Sequence, residues 1–300
     1  VIGGSGFIGK WIVKEGLIRD YRVTVLSLKK LNNNFKIKNV TYLNIDLSDR
    51  SLVKEFLTSE SYTHVVNLGG YIDHSSYLNG GREIIDVHFE GLLNVIEYIN
   101  WKKLESFVQI GSSDEYGNSE APQSESSCTK PISSYSLAKS AASSFLQMLH
   151  QTENFPVVIL RLFLVYGPGQ ENSRFIPQVI LGCLKNLSFG TSKGEQLRDF
   201  CFISDVVSAI FLSLESPVAK GEILNIASGN ATTIKSVIKK INSIIGKGRP
   251  KYGEVLYRKG ENMKLYADVH KAKRILNWEA KIHLEDGLKQ TIDSYSSKEY

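Results

Sequence analysis

The sequence predicts an α/β chain: a doubly wound parallel sheet with helices on both faces, and a second, smaller α/β domain beyond it. Three observations carry that expectation. Apolar strand-like runs alternate with helical periodicity through the first half, a glycine-rich turn joins the first strand to the first helix, and a tyrosine and a lysine stand four residues apart on a helix beyond the fifth strand. Repeated βαβ units close into a parallel sheet, and such sheets take their ligands at the carboxyl ends of the strands.

Val1-Ile2 is a strand stub. It is shorter than an ordinary first strand, which predicts a few residues before it. Gly3, Gly6 and Gly9 then fall at G-x-x-G-x-x-G spacing and open a helix running to about Gly16. Glycines so placed allow a tight turn, a close approach to a pyrophosphate and close packing of helix on strand, while the helix N-terminus offers N–H groups to phosphate. Arg22–Ser27 and Val40–Ile45 read as strands, Leu52–Leu57 as a helix, Thr63–Leu68 as a buried strand ending in Gly69-Gly70, Ile84–Asn100 as one long helix and Ser106–Ile110 as the fifth strand. A sixth strand, Val157–Arg161, leads into a turn out of the sheet at Val165–Gly169.

Beyond that turn the pattern predicts a helix at Phe175–Leu187, a short extended segment at Asp199–Ile203, and a helix at Ser204–Leu214 with Ser204 as its N-cap. A strand follows at Gly221–Asn225, then a helix at Thr233–Gly246 and final helices at Asp268–Leu276 and His283–Tyr295. The expected division is a dinucleotide-binding domain at 1–166, with 201–228 returning to it, and an interleaved substrate domain at 167–300.

A net charge of +5 is spread over scattered Lys and Arg, which suits a small anionic substrate and predicts neither nucleic-acid binding nor a membrane partner. Cys128, Cys183 and Cys201 are odd in number and far apart, as in a reducing cytoplasm. No apolar run reaches transmembrane length, and no cluster of His, Cys or carboxylates has metal-ligand spacing, so no metal is expected.

Tyr135 and Lys139 lie in Ser133–Gln151, where Leu137, Ala141, Phe145, Met148 and Leu149 recur at helical spacing. At i and i+4 the two side chains share a face, and an ammonium beside a phenol favours phenolate. Lys139 is therefore expected to draw Tyr135 below its usual value of ~10, toward a working acid and base. Taken alone, the pair also reads as an ordinary surface pair. The fifth strand runs into Ser112-Ser113, and the polar loop Asn118–Ile132 brings the tyrosine helix back to that edge, so a hydroxyl, a phenol and an ammonium converge. The second strand ends in Ser27-Leu28-Lys29-Lys30 without a carboxylate for a ribose 2′-hydroxyl. That favours the 2′-phosphate of NADP(H), with NAD possible, unless the lysines only begin a solvated loop. Asp46 either meets the adenine or caps the helix at Ser48–Leu57.

GGSGFIG (Gly3–Gly9), SSDEYG (Ser112–Gly117), YSLAK (Tyr135–Lys139), RLFLVYGPGQ (Arg161–Gln170), RFIP (Arg174–Pro177), GEQLRDFCFISDVVSA (Gly194–Ala209) and LNWEAKIHLEDGL (Leu276–Leu288) follow one another in an informative order. In that order and spacing the chain resembles the extended short-chain dehydrogenase/reductases acting on nucleotide sugars, the NAD-dependent epimerase/dehydratase family, over nearly its whole length. The resemblance implies a Rossmann sheet and a homodimer packed through Ile84–Asn100 and Ser133–Gln151. It implies that Ser112 holds the reacting sugar oxygen, Tyr135 is the acid/base, and Lys139 binds the nicotinamide ribose. Gly3, Gly6 and Gly9 with Phe7 and Ile8 would line the pyrophosphate, and Ser27, Lys29, Asp46, Leu47 and Gly69 would complete the cofactor cleft. Ser113, Arg174 and Arg198 would meet the substrate, Arg198 at its diphosphate, unless Arg198 instead pairs with Asp199 or Asp205. Arg258 reads either as a further diphosphate contact or as part of a solvated loop.

Dehydratases of this family follow their Ser or Thr with Asp-Glu, where this chain has Ser113-Asp114. A hydroxyl cannot do carboxylic-acid work at neutral pH, so dehydration is not expected. The segment from Arg174 to Ala209 is similar to nucleotide-4-keto-6-deoxyhexose reductases, CDP-abequose synthases among them. The resemblance therefore implies an NADPH-dependent 4-keto reductase in deoxysugar biosynthesis, with a 4-epimerase as the alternative and a non-catalytic dinucleotide sensor as the reading from another class. Two departures stand out: Leu164 where many relatives carry a substrate-contacting Asn, and His88 in place of a common Asn, read here as a hydrogen-bonded helix residue.

Overall fold

The structure is a computed structural model describing residues 1–28, 30–32, 34, 36–257 and 260–296. The first part alternates as α1 (Phe7–Ile18), β1 (Val23–Ser27), β2 (Val40–Asn44), α2 (Arg50–Ser59), β3 (His64–Asn67), α3 (Gly81–Ile85), α4 (Gly91–Tyr98), β4 (Ser106–Ser112), α5 (Ser134–Glu153) and β5 (Val157–Leu162). The second part runs β6 (Leu164–Tyr166), α6 (Phe175–Leu184), β7 (Ser188–Thr191), β8 (Leu197–Phe202), α7 (Ile203–Glu215), β9 (Ile223–Ile226) and β10 (Ala231–Thr233). It ends with α8 (Ile234–Ile245), β11 (Arg249–Tyr252), β12 (Lys264–Leu265), α9 (His270–Leu276) and α10 (Leu284–Ser296).

The main sheet is parallel, in the order β2-β1-Ile2-β3-β4-β5-β9. Ile2 bridges β1 and β3, donating its N–H to Val66 O at 2.9 Å, while the flanking Val1 and Gly3 bond Leu26 on β1. This is the doubly wound Rossmann arrangement, in which adjacent residues of a strand face opposite layers. Phe107 and Ile159 enter the core shared with Leu92, Val95 and Leu146, whereas Val108 and Leu160 enter the core shared with Ile12, Val206 and Ile210. β8 lies in a second sheet between β10 and β12 and also pairs with β6, while β7 and β11 form a separate pair.

Three local expectations are corrected. The long helix is interrupted by a π-helical turn, Asp86–Glu90, between α3 and α4, where His88 is buried against Gly70. Ser204 does not cap α7: β8 runs straight into the helix, so extended Phe202 is the N-cap and Ser204 falls within the first turn. Asp49, rather than Asp46, caps α2 by accepting from the Ser51 and Leu52 amides, because Asp46 accepts from Ser48.

Candidate active site

Gly3 has a φ of +72° and donates its N–H to Leu26 O at 2.8 Å, which turns the chain off the sheet and into α1. A Cβ on Gly9 would lie 2.5 Å from Gly3 O and from Gly4 Cα, so the helix can seat on the turn only as glycine. At Gly6 a Cβ would meet only Gly3 O, at 3.4 Å, so the protein itself does not demand glycine there. The N-terminus of α1, with Phe7 and Ile8 in its first turn, has no side-chain cap, leaving amides for an anion. This cradle fits a dinucleotide pyrophosphate: open at Gly6, closed at Gly9, and lined by helix-start amides.

Ser27 ends β1, buried, its carbonyl accepting from Asn44 Nδ2 at 3.1 Å and from the Ile45 amide at 3.0 Å. Lys29 and Arg258 lie outside the described residues. Leu47 packs against Gly91 at the start of α4, and the Gly69 amide donates to Asn67 Oδ1 at 2.9 Å. Asn67 in turn bonds Gln109 across β3 and β4, a buried amide pair beneath the site that sequence reading missed.

α5 begins with a reciprocal serine cap. The Ser136 amide donates to Ser133 Oγ at 3.1 Å and the Ser133 amide to Ser136 Oγ at 2.9 Å. Tyr135 thus sits buried in the first turn, and Ser112, at the tip of β4, is near enough to act on its phenol while its Oγ accepts from the Asp114 amide at 3.1 Å. The rings of His74 and His88 stand edge-on to Tyr135, at centroid distances of 5.7 and 5.3 Å. One turn on, Lys139 Nζ donates to Ile110 O at 2.8 Å, two residues before Ser112. Arg174, the N-cap residue of α6, lies close enough for its charge to act on Tyr135. Ser113 is buried beside Ser112, and His74 Nε2 is 3.6 Å from Asp114 Oδ2.

The electrostatics correct one expectation. Burial, followed by the Asp114 charge, raises the Tyr135 phenol above its ordinary value, although the Ser112 side chain and Arg174 act the other way. Lys139 does not draw it down, because its ammonium is committed to Ile110 O and lies 5.9 Å from the phenol ring centroid. Burial lowers Lys139 itself to about 8, with Glu115 opposing. His88 falls to about 3 through burial and the Lys139 charge, so it is neutral and its Nε2–H donates to Tyr71 O at 2.8 Å.

Asp114 and Glu115 differ in setting. Glu115 is fully buried and accepts from the Ser112 amide, Ser143 Oγ and Arg161 Nε, each at 2.9 Å, so it is not a free base. Arg198 lies on β8, where its guanidinium pairs with Glu261 and donates to Leu197 O at 2.9 Å. The expected alternatives for it were Asp199 and Asp205. Asp199 instead accepts from the Ser228 and Gly229 amides, and Asp205 from the Ile282 amide. The glycine turn, Ser112, Tyr135 and Lys139 therefore gather at the carboxyl end of the main sheet, while Arg198 belongs to the second sheet.

The model of the family described as "NAD dependent epimerase/dehydratase family" matches residues 1–227. The chain is 28% identical to the uncharacterized UDP-glucose epimerase YtcB of Bacillus subtilis (strain 168), covering 99% of this chain and 97% of that protein. It is also 28% identical to a UDP-glucuronate 4-epimerase of Thermodesulfobacterium geofontis (strain OPF15), over 98% and 94% of the two. Its fold superposes with a TM-score of 0.91, at 26% identity, on the UDP-glucose 4-epimerase of Thermotoga maritima crystallised with UDP-glucose, covering 98% of this chain and 97% of that one. With a family model spanning most of its length and a dinucleotide cradle beside a Ser-Tyr-Lys cluster, this chain is an enzyme of the NAD dependent epimerase/dehydratase family.

Proposed function

We propose that the protein is an NADPH-dependent reductase of a nucleotide-activated 4-keto-6-deoxyhexose, acting in deoxysugar biosynthesis. The observation that carries this reading is the placement of the buried Tyr135 phenol beside Ser112 and Asp114, surroundings that favour its protonated form. Reducing a ketone needs a proton donor at the start of the reaction, whereas oxidising an alcohol needs a base, so a raised phenol favours the reducing direction. A reduced nicotinamide, when bound, supplies the hydride that goes to the C4 carbon. Ser112 holds the C4 oxygen and Tyr135 gives it the phenolic proton, which completes the alcohol. The Lys139 ammonium, buried one turn away and held by Ile110 O, binds the nicotinamide ribose, while the Arg174 charge favours the phenolate left behind. Arg174 and Arg198 carry the diphosphate, for which Arg198 must exchange Glu261 for phosphate oxygens.

The β1 tip, Ser27-Leu28-Lys29-Lys30, supports NADPH over NADH, since its sequence offers cations and no carboxylate. Ser113 and the committed Glu115 argue against dehydration. We also assign a homodimer, in which the partly exposed stripe of Leu137, Ala141, Phe145 and Met148 on α5 is covered by a second copy. NAD-dependent 4-epimerisation is the second reading, favoured by the names of the relatives. The test is to mix protein, NADPH and a nucleotide-4-keto-6-deoxyhexose. Stoichiometric NADPH loss with formation of the 4-hydroxy sugar is expected, whereas interconversion of 4-epimers without net NADPH loss establishes the epimerase instead.

A further inference from the structure

Behind Ser112 lies a charge cluster that the reaction itself does not use. Glu115 is 0% and Arg161 3% exposed at the side chain, and Arg161 Nε meets Glu115 Oε2 at 2.9 Å. The same oxygen accepts from Ser143 Oγ on α5 at 2.9 Å, while Oε1 accepts from the Ser112 amide at 2.9 Å. One carboxylate therefore ties three elements together: the tip of β4, strand β5 through Arg161, and helix α5 one turn beyond Lys139. The approach is so close that a Cβ on Gly111 would lie 2.6 Å from Glu115 Oε1. Arg161 is also stacked over Tyr116, with its guanidinium carbon 4.6 Å from the ring centroid. Taking two charges out of water for packing alone brings little stability, because well-packed apolar residues do as well or better.

We propose that Glu115 is a positioning residue for hydride transfer, fixing the Ser112 hydroxyl in register with Tyr135 and Lys139. This rests on the reading of Ser112 as the group that holds the reacting oxygen. Three donors on rigid elements leave the carboxylate one position, and its bond to the Ser112 amide sets the backbone that carries Oγ, which itself accepts from the Asp114 amide at 3.1 Å. Misplacement of a catalytic group by about 1 Å can cost ~100-fold in rate.

The test replaces the pair with apolar residues of similar volume, Glu115→Leu with Arg161→Met, so that no buried charge is orphaned. Ser143→Ala, which cuts only the tie to α5, is the second variant should the pair fail to fold. Amide hydrogen exchange is read first and needs no substrate. The Ser112 amide is expected to exchange at least about tenfold faster while Phe107–Ile110 on the same strand keep native protection, a local opening rather than global loss. Unchanged Ser112 exchange in a folded variant, or a uniform rise along β4, overturns the proposal. Single-turnover hydride transfer is then compared with and without Ser112→Ala. The expectation is a loss of about 10- to 100-fold where Ser112 is present and less than about twofold where it is gone, since residues acting as a unit are not additive. Equal losses in both backgrounds overturn it. If the unaltered protein transfers no hydride to any nucleotide-4-keto sugar, the proposed function fails, and the exchange measurement still decides whether Glu115 holds Ser112.

Discussion

Burial acts on Tyr135 and Lys139 in opposite senses, raising the phenol and lowering the ammonium to about 8, so each group carries its proton at neutral pH. Replacing Tyr135 with Phe is expected to lower turnover by ~10²–10⁴-fold, the usual loss for a general acid, while a cofactor-binding titration changes little. Lys139 works as the ammonium, so kcat/KM is expected to fall as pH rises past about 8. His88 gives a separate signature in stability. Its folded value, about 3, lies below the ordinary 6.5, so between those limits the unfolded chain binds a proton that the folded chain refuses. Its contribution is complete above 6.5 and is lost as pH falls toward 3, at up to about 1.4 kcal/mol per pH unit. Equilibrium unfolding of His88→Asn should show a shallower acid decline than the parent. At this scale, Ser112, Tyr135 and Lys139 were legible because strand ends and helical spacing bring them together. Glu115 and Arg161 were not, since their pairing depends on how the turn after β4 folds back against β5 and α5.

The glycine turn and the start of α5 are where elements meet chemistry. Gly9→Ala places a methyl 2.5 Å from Gly3 O, and α1 must lift from the turn to accept it. The expected result is cofactor affinity weakened by at least about tenfold, read by titration, because helix-start amides bind anions only at close range. Ser133→Ala removes the cap before Tyr135 and should cost about 0.5–2 kcal/mol in chemical unfolding. The alternation of strands and helices was legible because each element carries its own period. The π-helical turn was not: in it His88 lies against Gly70 and the Tyr135 ring, tertiary neighbours invisible to local pattern. Ser204 misled because β8 enters α7 with no intervening loop, which left the cap position to Phe202.

Over the whole molecule, a chain of parallel strands carries the glycine turn and the Ser-Tyr-Lys cluster at one end, and the second sheet carries Arg198, paired with Glu261. Both sheets share one apolar cluster, in which Ile110 and Leu162 join Phe200 and Phe202. The α5 stripe faces outward, with Leu137 48% and Met148 43% exposed. Helical spacing marked these residues as apolar but could not tell a buried face from an exposed one. In sedimentation the protein is expected to run as a dimer, and Leu137→Glu with Met148→Glu to run as a monomer. A monomeric parent would remove the stripe's assigned role. Among the described residues no helix is long and apolar enough to cross a membrane.

Delivery of hydride to a sugar ketone, with Tyr135 supplying the proton, is open to direct measurement with NADPH deuterated at the transferable position. Deuterium is expected at C4 of the product sugar, one label per NADP formed, and none with Tyr135→Phe on the same timescale. Label that stays on the nucleotide while the sugar epimerises, or transfer at the parent rate without the Tyr135 hydroxyl, would contradict it.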